Sequence, residues 1–246
     1  MPIPVFLMGA AQIFFIIHAA RTGRPYYWFF ILLFVPMLGI LAYVLFELLP
    51  HAGSSASAQK TVSGARRLID PQGRYRALAT NLEVAPTVLN MRALADECVT
   101  LGRLDEAERL YSDALQGLHA TDPYTMLGLA RVRFARGDSS GCLQTLDDIK
   151  VANPDFQNTD AHMLFARALE ASSRNEEALR EYASLSRYFA GEEPRVRSGL
   201  LLSKLGDRQT ALEQFEEVRR SVERSPSFYR RNQREWYKLA LQNLKA

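Results

Sequence analysis

The chain is short of the residues that most chemistry needs. It has two cysteines, Cys98 and Cys142, and no Cys-x-x-Cys spacing. That excludes a disulfide framework and a thiolate metal site; both thiols read as small buried side chains. Its four histidines, His18, His51, His119 and His162, are scattered through the 246 residues with no metal-ligand spacing. No Gly-rich phosphate loop is present, and no helix-turn-helix, zinc-finger, basic-zipper or RNA-binding signature occurs. The net charge of +3 does not demand a polyanion partner. Runs that alternate apolar and polar residues, as half-buried strands do, are also missing, so the fold class is all-α. The acidic pairs Glu176-Glu177 and Glu192-Glu193 fall at expected helix starts, where carboxylates complement the dipole. Nothing therefore recommends an enzyme, a cofactor or a metal, and no nucleic-acid partner is expected.

What the chain does have is internal repetition. Gly102 to Leu115, GRLDEAERLYSDAL, is the best-formed unit. A small residue recurs as Ala107, Cys142, Ala178 and Ala211, at steps of 35, 36 and 33 residues. A second small site recurs as Ala95, Ala130, Ala166 and Gly199, a bulky one as Tyr111, Leu146, Tyr182 and Phe215, and a turn site as Gly102, Gly137, Ser173 and Gly206. A period of about 34 residues with small sites where two helices cross is that of tetratricopeptide (TPR) units, and residues 88–220 resemble that family. Departures from its pattern fall at Met91, Met126, His162 and Arg195, where a large aromatic is usual, and at Arg133 and Ser198, where apolar residues are usual.

The expected helical pairs are Val88–Leu101 with Leu104–Leu118, Pro123–Ala135 with Ser139–Ala152, Thr159–Ser172 with Glu176–Phe189, and Pro194–Leu205 with Gln209–Glu223. Asp122 before Pro123 is a cap followed by proline in the first turn. Arg74–Leu82 is expected to cap the front of the array. A single helix from Ser225 to about Leu244 is expected to cap the end, with Trp236, Leu239 and Leu244 inward and Arg230, Arg231, Arg234 and Lys238 outward.

The N-terminus is of another kind. Ile3–Ile17 and Tyr26–Leu49 are apolar runs separated by a turn with Arg21 and Arg24. The second has the length of a spanning helix, about 20 residues. The first has no basic n-region and a longer apolar run follows it, so a two-helix transmembrane hairpin accounts for both better than a cleaved signal peptide. Residues 3–49 would then contact the lipid bilayer, with Tyr26, Tyr27 and Trp28 as an aromatic belt. Arg21 and Arg24 before Tyr27-Trp28, then Pro36, Gly39 and Tyr43, resemble the segment ahead of phospholipase D-type nuclease and cardiolipin synthase domains. The His-x-Lys signature of those enzymes is missing, so the resemblance carries no active site. Anchor plus repeats resembles bacterial membrane-anchored TPR proteins. This implies an inner-membrane protein with a hairpin at 1–50, a flexible linker at 51–72 and the solenoid at 73–246. Positive charge counted on the two sides of the hairpin leans towards a cytoplasmic array.

The resemblance also implies a function. In TPR units the first helices line a concave groove that takes a peptide or protein. Carried over residue by residue, the lining comprises Arg92, Asp96, Tyr124, Leu127, Arg131, Phe134, Met163, Arg167 and Lys204. Arg131 and Arg167 fall at one site of consecutive repeats and suit a ligand with acidic and apolar side chains. Asp96 and Glu170 are equally placed to neutralise them. The expectation is a membrane-anchored adaptor or scaffold. The second reading is an assembly or phospholipid-related factor that works through the hairpin, in which case the array alone binds no partner.

Overall fold

The computed structural model describes residues 72–245, Asp70, and Gln12, Ile13, Phe14, Ile16, Ile17, Arg21 and Ile31. Two compact units result, Met1–Gly73 and Arg74–Ala246. In the first, the seven described positions before Asp70 are helical. The expected hairpin over 3–49 and the linker over 51–72 lie almost wholly outside the described residues. Among the described residues, no helix is long and apolar enough to cross a membrane.

The second unit is built of helices alone among its described residues: α1 (Gly73–Val84), α2 (Val88–Thr100), α3 (Leu104–Ala114), α4 (Pro123–Ala135), α5 (Ser139–Ala152), α6 (Thr159–Ala171), α7 (Asn175–Leu185), α8 (Glu193–Lys204), α9 (Arg208–Arg224), α10 (Ser227–Asn232) and α11 (Arg234–Lys245). α2 packs with α3, α4 with α5, α6 with α7 and α8 with α9. Each hairpin then packs on the next through α3–α4, α5–α6 and α7–α8. That is a one-dimensional stack of four hairpins.

The repeat sites explain the stack. Ala95, Ala130, Ala166, Ala107, Cys142, Ala178 and Ala211 have no exposed surface. Gly199 completes the first-helix series because the Phe215 ring leaves no room for a methyl: a Cβ there would lie 2.7 Å from the ring. The bulky sites Tyr111, Leu146, Tyr182 and Phe215 are all buried. At the turns Gly102, Gly137 and Gly206 have φ of 73°, 84° and 90°, and Ser173 has 59°. Only glycine adopts this region without a Cβ penalty. Ser173→Gly is therefore expected to raise stability by about 0.5–1 kcal/mol, read as a higher Tm; a lower Tm would mean that the serine side chain contributes more than its backbone costs.

Helix caps follow the sequence closely. Asp122 accepts a hydrogen bond from the Thr125 N–H at 2.8 Å, Asp138 from Gly141 at 2.8 Å and Asn158 from Ala161 at 2.9 Å. α1 presents Tyr75, Leu78, Ala79 and Leu82 to the first core cluster, covering the front of the stack. Trp236, Leu239, Ala240 and Leu244 of α11 cover the last.

Three helix ends differ from expectation. α3 stops at Ala114, not Leu118, and a short 3-10 turn with Gly117 at φ 59° follows. α7 stops at Leu185, not Phe189, and Phe189 packs on the core from the turn after it. The expected final helix is two, broken between Asn232 and Arg234. The break has a partner: the Gln233 side-chain oxygen accepts the Glu192 N–H at 3.0 Å. The Tyr229 hydroxyl donates to the Glu192 carboxylate at 2.9 Å. The bend lets α10 and Gln233, the residue that follows it, both reach Glu192 at the start of α8.

Candidate functional site

The nine expected lining residues do not form one surface. Arg131, Phe134, Met163 and Arg167 come together, with Asp160, Leu164, Phe189 and Glu193, around a cavity of about 340 Å³. α4 and α6 supply the first four, at positions where successive first helices lie side by side. Met163 is nearly buried and makes its floor. Leu127, 3 % exposed and in the same core cluster as Met163, does not border the cavity. Tyr124 is exposed but turns edge-on to Phe156, with ring centroids 5.3 Å apart. Arg92 pairs with Asp122 at 3.5 Å, Asp96 accepts from the Tyr111 hydroxyl, and Lys204 is exposed at the end of α8. None of these last four borders the cavity.

The charges around the two arginines are also redistributed. Glu170 accepts from the Tyr182 hydroxyl at 2.5 Å and lies 3.7 Å from Arg197. Asp96 serves Tyr111. Burial first, and these carboxylates second, hold both phenols well above the usual tyrosine range. The acid that meets Arg131 is Asp160, at 3.3 Å, in a pair exposed on both sides and so worth little. Arg167 lies with its guanidinium 5.1 Å from the Phe134 ring centroid. Its Nε is buried and has no hydrogen-bond partner among the described residues.

No family model matches the chain, and neither does any curated protein. The likeness of residues 1–50 to cardiolipin synthase-type segments thus rests on the residues quoted above alone. Solved structures do match. MamA from residue 41 onward, from Desulfovibrio magneticus RS-1, aligns with a TM-score of 0.56 and 16% identity over 66% of this chain and 93% of that one. A MamA RS-1 ArsTM double mutant aligns at 0.55 and 15%, over 65% and 89%. YrrB, described as a TPR protein with an unusual peptide-binding site, aligns at 0.50 and 18%, over 70% and 90%. The array has the TPR fold. Identities this low establish nothing finer.

Two departures from the repeat pattern, Arg133 and Arg195, have partners that the sequence does not show. Arg133, in a site usually apolar, is held by Glu108 at 3.2 Å and by the buried Thr145 hydroxyl at 2.7 Å, so a polar bridge replaces an apolar contact between α3, α4 and α5. Glu192, read above as a helix-start acid, is fully buried. It accepts from Ser221 at 2.5 Å, from Tyr229 at 2.9 Å and from Arg195 at 3.1 Å. The departure at Arg195 was visible; its partner was not. Cys98 and Cys142 are both buried, which pushes their thiols up to about 11 and about 12 and leaves them unreactive. Among the described residues no cluster of histidine, cysteine and acidic side chains could hold a metal.

Proposed function

We propose that this protein is a non-enzymatic adaptor that docks a protein or peptide partner in the groove around Arg131 and Arg167, tethered to a bilayer by its N-terminal segment. The observation that carries the reading is the buried Arg167 Nε, a donor without a hydrogen-bond partner among the described residues beside the cavity. Such a group costs about 1–3 kcal/mol unless something satisfies it. A carboxylate does so, and Phe134 and Met163 next to it accept an apolar neighbour. The fold shared with YrrB, a protein described as having a peptide-binding site, supports the same class of ligand.

Arg131→Ala with Arg167→Ala is expected to leave helicity unchanged by circular dichroism and to remove the partner from a crosslinked pull-down. An unchanged partner set would transfer the function to another face. The tether is supported by the two apolar runs in the sequence. A chain beginning at Ala52 is expected to leave the membrane fraction on carbonate washing, while the full chain stays; retention of the shortened chain would place the anchor elsewhere.

A further inference from the structure

The second and third repeats meet differently from the first and second. Leu115 and Met126 fill the earlier junction, Met126 at 7 % exposure and Leu115 packed against the core. One repeat later the equivalent positions are Lys150 and His162. An apolar pair has become a cation and an imidazole, and between α5, α6 and α7 a cavity of about 640 Å³ lies open. Its volume falls within the range of small-molecule sites, about 300–1,000 Å³. Local breaks of this kind in an otherwise consistent pattern are expected at functional or strained sites.

The walls are built, not vacant by default. Leu146, Ile149 and Phe165 give an apolar floor. His162 is fixed by both ring nitrogens: Nε2 meets Glu181 at 2.5 Å and Nδ1 meets the Tyr188 hydroxyl. That chain holds the Tyr188 ring at the mouth. The Lys150 ammonium lies 3.6 Å from the Phe165 ring centroid, and its acid contact, Asp147 at 3.6 Å, is solvent-exposed and weak. The charges select the ligand. Glu181 is engaged by His162, and Lys150 already covers the ring face that a ligand cation would use. An anionic group meets Lys150 without displacing anything.

We propose that this cavity binds a small free carboxylic acid with an apolar body, its hydrocarbon on Leu146, Ile149 and Phe165 and its carboxylate on Lys150. The site is separate from the arginine groove. The test uses the full-length chain in lipid nanodiscs, with empty nanodiscs subtracted, and calorimetric titration with hydrocinnamate and with its amide. Hydrocinnamate is expected to bind saturably, and the amide about ten-fold more weakly, the value of one charge-assisted contact. Lys150→Met is expected to reduce the acid to the level of the amide. The double variant Lys150→Leu, His162→Met restores the residues of the preceding junction; it is expected to melt no lower than the parent and to bind no acid. Arg131→Ala with Arg167→Ala is expected to leave acid binding intact, which keeps this site apart from the adaptor reading. No saturable binding, equal binding of acid and amide, undiminished binding by the double variant, or loss of binding in the arginine variant would each overturn the assignment. So would N-acetylphenylalanine binding about ten-fold more tightly than hydrocinnamate, which would make the ligand a chain terminus and not a free acid.

Discussion

Glu192→Ala is expected to lower the Tm of the array on the order of 10 °C, from a loss of about 3–5 kcal/mol. The carboxylate has no exposed surface, and three donors converge on it from α8, α9 and α10: Arg195, Ser221 and Tyr229. Removing it leaves the half-buried Arg195 guanidinium with only the Ser186 carbonyl as acceptor, and the Tyr229 phenol and Ser221 hydroxyl without theirs. The loss is thus larger than that of an exposed pair such as Arg174–Glu177. A second readout separates this mechanism from general damage. Burial, and then the bond to Glu192, push the Tyr229 phenol up to about 12. In the variant it should titrate lower, though still above an exposed tyrosine, because burial remains. The sign follows for the parent protein: a raised phenol contributes stability in full below its unfolded value near 10 and loses it as pH rises towards about 12. An unchanged melt and an unchanged tyrosinate titration would together show that the carboxylate holds nothing.

Gly128→Leu should be comparably disruptive, and it can be rescued. A Cβ on Gly128 would lie 2.4 Å from the Tyr111 ring, whose hydroxyl is tied to Asp96. The helix propensity gained by replacing glycine, about 0.5–1 kcal/mol, cannot offset an overpacked core at about 1–3 kcal/mol or more. One repeat later the equivalent pair is Leu146 and Leu164, which share a core cluster. Tyr111→Leu made together with Gly128→Leu copies that pair and is expected to recover most of the loss. Thermal melts of the two single variants and the double variant give the coupling. Additive losses would mean that the two side chains do not share space.

The repeats were legible because their signal is steric. A site where helices cross must be small and a left-handed turn must be glycine or nearly so; both rules act on single residues at fixed spacing. Ser173 shows the limit, since its place in the series, not its identity, marked the turn. The last helix is continuous in the sequence pattern but broken in the structure, because the break is imposed from a distance by the contacts of Tyr229 and Gln233 with Glu192 about forty residues earlier. The groove was half legible for the same reason. Repeat position brings Arg131 and Arg167 together, but of the two buried residues Leu127 and Met163 only Met163 borders the cavity, a difference of packing that no spacing encodes. Of the larger cavity the sequence shows only His162, a departure from the repeat pattern.

The volume matching at the junctions has a genetic consequence. Tyr111 requires a glycine opposite it, whereas Leu146 sits with a leucine. An in-frame loss of the second repeat by unequal crossing-over would bring the third repeat's Leu164 against Tyr111 and jam the join. Shuffling among these units is therefore not neutral. A unit moved to a new neighbour is expected to need a compensating change at the facing position before the join packs.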